Sequence, residues 1–170
     1  MQAHSRIYWI TGLPAAGKTT LAHALVHALQ EAGGKAYVLD GDDLRQGLCS
    51  DLGLSAADRS ENIRRAGEVA RLMARAGITV VCAFVSPFAA DRQRVRALFE
   101  PSQFTEIFLS TSVQECARRD PKGLYAKARA GHITGLTGWD GPYECPTHPE
   151  YEFDTEIFST EQMVQKLLGS

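Results

Sequence analysis

Apolar residues fall in short, unbroken runs along this chain. Ile7 to Thr11, Ala36 to Asp40, Ile78 to Val85 and Phe104 to Ser110 each read as a strand, with Glu152 to Phe158 as a weaker fifth. Runs that are continuously apolar, rather than alternating, belong to a sheet covered on both faces. Between them the period becomes helical: Lys18 to Ala32 sets Leu21, Leu25, Val26 and Leu29 on one face, and Ala57 to Ala76 does so with Ile63, Val69, Leu72 and Met73. Gly33-Gly34 and Gly77 follow these stretches, where a left-handed residue ends a helix. Such alternation predicts right-handed crossovers, a five-stranded and mainly parallel sheet flanked by helices, and ligands beyond the C-terminal strand ends. The segment Gly131 to Pro149, rich in Gly, Pro and Thr, is expected to be a closing loop and the part freest to move.

The 170 residues fit one domain, 1-170, and 44% hydrophobic content is enough for a core. Eighteen basic against twenty acidic residues leave a formal charge of -2, so neither a nucleic-acid polymer nor an anionic membrane is an expected partner. Cys49, Cys82, Cys116 and Cys145 form no CxxC pair, which suggests neither a zinc site nor a redox motif, and Cys82 reads as core. The first strand begins almost at once, and no run approaches the roughly 18 apolar residues of a membrane span. A soluble protein in a reducing, cytoplasmic setting is expected.

The strongest chemical signal is Gly12-Leu13-Pro14-Ala15-Ala16-Gly17-Lys18-Thr19, which satisfies G-x-x-x-x-G-K-[ST] between a predicted strand and a predicted helix. There, backbone N–H groups and a helix N-terminus converge on phosphate oxygens. Lys18 is expected on the β- and γ-phosphates of ATP and the Thr19 hydroxyl on Mg2+. The fold expectation sharpens to a three-layer α/β P-loop NTPase.

The second strand runs into Asp40, Asp42 and Asp43. Asp40 and Asp42 are read as chemical, one toward Mg2+ with Thr19 and one accepting a proton from an attacking hydroxyl, while Asp43 is assigned to cap a helix beginning near Leu44. No strand ends in a Walker-B Asp, which favours a small-molecule kinase over a GTPase or motor. Arg64, Arg65, Arg71 and Arg75 are read as a solvated helix face.

Between Tyr8 and about Pro149 the chain resembles the adenylyl-sulfate kinase (APS kinase) family. The markers are Gly12 to Thr20, Leu39-Asp40-Gly41-Asp42, Arg45, Asp58-Arg59 with Glu61-Asn62-Ile63-Arg64-Arg65, Ala83-Phe84-Val85-Ser86-Pro87, Arg119-Asp120-Pro121-Lys122-Gly123-Leu124-Tyr125, and Lys127-Ala128-Arg129-Ala130-Gly131. The resemblance implies transfer of the γ-phosphoryl of MgATP to the 3′-hydroxyl of adenosine 5′-phosphosulfate, a homodimer, and a lid at Arg119 to Tyr125 within a lid region of about 119-149. It implies that Gly12 to Thr20 and Arg118 contact the nucleotide. It puts Asp42, Arg45, Gln46, Arg59, Asn62, Phe84, Val85, Ser86, Lys122 and Leu136 at the acceptor, and Lys18, Asp40, Asp42 and Ser86 among the catalytic residues. Ser86 falls in a motif labelled a phosphoserine intermediate. In-line transfer between two bound substrates needs no covalent serine, so the hydroxyl is read as a hydrogen-bond donor near the acceptor.

Three departures stand out. Gln46 stands where the family resembled has an aromatic residue or histidine and Leu136 where it has a phenylalanine, rings that the resemblance sets on either side of the acceptor adenine, where stacking is worth ~1–3 kcal/mol per base. Weaker adenine binding or a related nucleotide or phosphoramidate acceptor is the consequence. The sequence also starts closer to its first strand than many family members do, which bears on the dimer. A nucleotide-binding module without turnover is the alternative of another class, disfavoured by the joint presence of Lys18, Thr19, Asp40 and Asp42.

Overall fold

The structure is a computed structural model and describes residues 5–169. The outermost residues of the expected domain, 1–4 and 170, lie outside the described part. Five strands, β1 (Ile7–Gly12), β2 (Ala36–Asp40), β3 (Thr79–Ala83), β4 (Phe104–Leu109) and β5 (Tyr151–Phe153), pair in the order β2-β3-β1-β4-β5. Every pairing is parallel. The helices between them are α1 (Lys18–Glu31), α2 (Gly41–Gln46), α3 (Ala56–Arg75), α4 (Ala89–Arg96), α5 (Val113–Arg119), α6 (Leu124–Arg129) and α7 (Thr160–Leu168).

Period-2 alternation decides the layers. Tyr8, Ile10, Val81, Ala83, Ile107 and Leu109 face a cluster with α1, α5, α6 and α7, whereas Ile7, Trp9, Val80, Cys82 and Phe104 face a second cluster with α3 and α4. Both faces are therefore covered, as the unbroken apolar runs required. Because the chain leaves β1 for the β2 edge and later steps from β3 across β1 to β4, the crevice opens at the C-terminal end of β1.

The helix ends follow the glycines. Gly33 (φ 83°) and Gly77 (φ 82°) are left-handed, and the N–H groups of Gly34 and Ile78 return to the carbonyls of Leu29 and Met73. Leu72, however, is exposed. The inner face of α3 is Ile63 followed by the small residues Ala66, Gly67, Ala70 and Ala74, with Val69 and Met73 half-buried beside them, and Gly67 admits Val95 and Leu98 of the neighbouring helix and loop. A helix packed this closely shows little of the large-residue periodicity by which sequence finds a buried face.

Three further expectations need correction. The third strand ends at Ala83, since Ser86 takes φ 41° and turns the chain away. The fifth covers only Tyr151–Phe153, because Asp154 accepts the N–H of Glu156 and starts a turn that carries Phe158 back to the Asp154 carbonyl. Asp43 does not cap α2. Asp40 does, its Oδ1 accepting the Asp42 N–H at 2.8 Å, which is possible because Asp40 is the last extended residue before the helix. Cys82 is buried as expected, and no described helix is long and apolar enough to cross a membrane.

Candidate active site

The loop between β1 and α1 curls as its sequence demands. A side chain on Gly12 would lie 2.9 Å from the Leu109 carbonyl oxygen, and Gly17 sits at φ 101° at the N-cap of α1. Ala15 also adopts a positive φ, 66°, which is strained for a residue with a Cβ. Ala16 is fully buried and anchors the loop, while its N–H donates to Leu13. Gly12, Leu13, Pro14, Ala15, Ala16, Gly17, Lys18, Thr19 and Thr20 thus form one concave turn ending in a helix N-terminus.

Lys18 donates to the Leu13 carbonyl at 2.7 Å and the Gly12 carbonyl at 3.0 Å. Desolvation by burial pulls its pKa down to about 8, against the smaller opposing influence of Asp40 and Asp42. Thr19 donates its hydroxyl to Asp40 Oδ2 at 2.7 Å, so the start of α1 and the end of β2 meet through two hard oxygen donors. One turn on, Asp42 forms an ion pair with Lys122 from the α5–α6 turn. The structure thereby brings Lys18, Thr19, Asp40, Asp42 and Lys122 to one mouth.

The remaining cations line the α2–α3 side. Arg45 donates to the Gly53 carbonyl at 3.0 Å. Arg59 reaches the Leu54 carbonyl, Thr137 Oγ1 and the Gly135 carbonyl with three separate N–H groups. Burial, and then the nearby Arg45, lower the Arg59 pKa. Gln46 is exposed at the end of α2. Asn62 is 5% exposed, and its Oδ1 is buried without a hydrogen-bond partner, an orphan acceptor on the helix that carries Arg59. Phe84 is buried and stacked on Trp9 with ring centroids 5.1 Å apart, and it packs so closely on the start of α2 that a Cβ on Gly41 would meet it at 3.2 Å. Val85 turns its carbonyl to Thr11.

Two expected residues are placed otherwise, and a third is exposed. Ser86 is 1% exposed, and its Oγ accepts from Trp9 Nε1 at 3.1 Å and faces the Phe84 carbonyl at 3.3 Å, so this hydroxyl serves the core and not the crevice. Bonded to Trp9 in the core, it does not reach the reacting groups as the catalytic assignment requires. Leu136 is 8% exposed within the apolar cluster that includes Tyr125, which leaves no open face for a base to stack on. Arg118 is exposed and held by both carboxylate oxygens of Glu115, whose pKa its guanidinium and that of Arg119 lower to about 2.

Sequence reasoning marked Asp120 and Tyr125 without their contacts, and it missed Asp140 and Thr155, which also fasten the lid and the loop. Asp120 (φ 31°) caps α6 by accepting from Tyr125 and Ala126, and the Tyr125 hydroxyl donates to the Pro14 carbonyl at 2.8 Å. Thr155, just after β5, donates to the Ala16 carbonyl and accepts from Arg119, so it braces the loop from behind. Asp140 holds the N–H groups of Gly135 and Leu136, and the resulting knot packs against Leu13, where a Cβ on Gly138 would lie 2.3 Å from Leu13 Cδ2. A polar residue in a Gly-rich loop is a weak cue, and no local spacing ties Tyr125 to Pro14.

Comparison with known proteins gives the family. A family model described as adenylylsulphate kinase matches residues 4–154. The adenylyl-sulfate kinase of Marinobacter nauticus is 52% identical over 163 residues, 96% of this chain and 82% of the relative. The Mycobacterium tuberculosis APS kinase solved in complex with AMPPNP and APS superposes with a TM-score of 0.93 at 44% identity, covering 98% of this chain and 96% of that one. A hexameric APS kinase from Thiobacillus denitrificans, of which 28% is covered, matches 98% of this chain with a TM-score of 0.73 at 32% identity. By fold, motif and identity along nearly its whole length, the chain belongs to the adenylylsulphate kinase family.

Proposed function

We propose that this protein transfers the γ-phosphoryl group of ATP to the 3′-hydroxyl of adenosine 5′-phosphosulfate, giving ADP and 3′-phosphoadenosine 5′-phosphosulfate. The observation that carries the reading is the meeting of the phosphate loop, the Thr19–Asp40 oxygen pair and the Asp42 carboxylate at one mouth. Phosphoryl transfer asks chiefly for positioning and charge compensation, and these groups supply both. Lys18 exchanges its two loop carbonyls for the β- and γ-phosphate oxygens, a stronger, charge-assisted contact. Thr19 and Asp40 fit Mg2+, which takes hard oxygen ligands and retains waters and substrate phosphates; bound there, it would neutralise charge on the transferring group.

Asp42 accepts the proton of the attacking hydroxyl, and Lys122, ion-paired with it from the α5–α6 turn, brings a positive charge to the acceptor side. Arg45 and Arg59 lie on the same side, suited to a phosphate and a sulfate, and Asn62 Oδ1 offers an acceptor to a base amine. The two core clusters on opposite faces of one sheet support a single kinase domain over the chain. A hexameric relative supports an oligomer, for which the family resemblance implies a homodimer, and the free cysteines suit a reducing cytoplasm.

The test is acceptor-dependent ADP release with MgATP and adenosine 5′-phosphosulfate, the product being identified by mass. Equal yields of ADP and the 3′-phosphorylated product are expected. A second reading, another nucleotide or a phosphoramidate as acceptor, rests on Gln46 being exposed and Leu136 buried, so that neither offers a ring to the base. An acceptor panel in which another hydroxyl compound is used and adenosine 5′-phosphosulfate is not would decide for it.

A further inference from the structure

Arg92, in α4, is 3% exposed and touches none of the residues assigned to ATP. One terminal nitrogen donates to the Ser86 carbonyl at 2.7 Å and the other to the Glu144 carbonyl at 2.6 Å. Its Nε lies 3.1 Å from Glu106 Oε1, near enough for an ion pair though poorly directed for a hydrogen bond. Its charged centre stands 5.9 Å from the Tyr143 ring centroid. Around this hub the Glu144 N–H donates to the Pro87 carbonyl, and Glu144 Oε2 accepts from the Ala89 N–H. The Tyr143 hydroxyl is 2.8 Å from Thr11 Oγ1. Since the Thr11 proton goes to the Val85 carbonyl at 2.7 Å, Tyr143 is the donor. The adjacent Asp91 accepts from Ser60, which neighbours Arg59 on α3.

A buried cation with one carboxylate for company is a poor choice for stability alone, since apolar residues of the same volume often do as well or better. What the guanidinium supplies is a rigid fork that fixes two carbonyls at a set separation. One of them belongs to Ser86, whose left-handed backbone persists only if its surroundings impose it. The other belongs to the end of the 131–149 segment. We infer that Arg92 is a positioning residue for the acceptor side, holding the β3–α4 turn and the Tyr143–Glu144 end of the lid in register with Phe84, Val85 and α3. The inference rests on the phosphotransfer reading above.

Three variants test it, each measured for kcat, for KM with ATP and with the acceptor, and for melting temperature. Arg92→Lys keeps a cation beside Glu106 but cannot bridge both carbonyls; Arg92→Met with Glu106→Gln removes both charges of the buried pair, while Arg96, the other partner of Glu106, keeps Glu150; Tyr143→Phe deletes only the Thr11 contact. For Arg92→Lys the acceptor KM should rise by about tenfold or more with the KM for ATP within about threefold, because small misplacements away from the chemistry are enough to cost that much. The double variant should show the same split at a melting temperature nearer to wild type, and Tyr143→Phe a smaller split. Equal changes in both KM values, an acceptor KM that simply tracks melting temperature across the three, or no change would overturn the role. If the wild type uses a different acceptor, the substrate assignment falls, and the same split measured with that acceptor judges Arg92 separately.

Discussion

The phosphate loop of residues 12–19 hangs between β1 and α1, whereas the stretch from Arg119 to Pro149 carries one short helix and relies on side chains for its place. Contacts within the loop are local: Ala16 to Leu13, Lys18 to Leu13, Leu21 to Gly17. The lid has local ties too, at Asp120 and Asp140, but the contacts that hold it against the rest span the sequence, from Tyr125 to Pro14, Arg59 to Gly135 and Thr137, and Lys122 to Asp42. Such bonds are worth about 0.5–1.5 kcal/mol each, somewhat more with a charged partner, and several are solvent-exposed. The donor side is thus set before any ligand arrives, and the acceptor side is closed by a few breakable clips. Enzymes that must admit a second substrate draw their moving parts from such weakly held segments.

Asp42 belongs to both sides, and its replacement should have the largest effect. Asp42→Asn is expected to lower kcat by about 10²–10⁴, the usual worth of a positioned general base, with ATP affinity unchanged by calorimetry. If Lys122→Met lowers kcat at saturating acceptor as much as Asp42→Asn does, the carboxylate acts through the lid and not on the hydroxyl. The proposed outcome is that Lys122→Met mainly raises the acceptor KM.

Arg59 isolates the lid. In Arg59→Met the amides of residues 135–141 should exchange about ten- to a hundredfold faster, equivalent to one or two charged hydrogen bonds lost, with α1 amides unchanged. Faster exchange in α1 as well would erase the distinction between the two regions.

These contrasts explain what could be read in the sequence. Gly12, Gly17, Lys18 and Thr19 declare the cradle because local backbone geometry needs those residues at that spacing, and the four longer strands were legible as apolar runs. Asp40 and Asp42 were placed correctly beside the cradle, although the cap fell to Asp40, since only the fold shows where β2 turns into α2. The burial of Ser86 and Leu136 was not legible, because it depends on Trp9, 77 residues from Ser86, and on a cluster drawn from the whole chain. Arg92, Tyr143 and Thr155 gave no local signal at all. Their partners lie 36 to 139 residues distant wherever they tie the lid or brace the loop.

The donor side can be probed through pH. Lys18 titrates at about 8 in the free protein because burial disfavours its charge, and phosphate oxygens would favour the charged form and raise that value. Below pH 8 the lysine is already protonated and affinity for ATP should be flat. Above it, binding must take up a proton, and affinity should fall by up to about tenfold per pH unit until the pKa of the complex is reached. Calorimetry at pH 9 in buffers of different ionisation enthalpy should register the uptake. No uptake together with a flat affinity would mean that Lys18 remains on the loop carbonyls.

The smallest expected effect lies at Ala15. Its φ of 66° puts a Cβ where glycine is preferred, a strain of about 1–3 kcal/mol, so Ala15→Gly should relieve it. Glycine also widens the unfolded ensemble, which opposes the gain by about 0.4–1 kcal/mol. The net change should be a stabilisation of about 1 kcal/mol, seen as a rise of about 2–4 °C in melting temperature. A loop preorganised by the strands around it should then bind ATP as before. If Ala15→Gly instead weakens ATP binding while stabilising the fold, the methyl group keeps the cradle in its binding shape, and the donor side owes its fixed geometry to Pro14 and Ala15 as much as to β1 and α1.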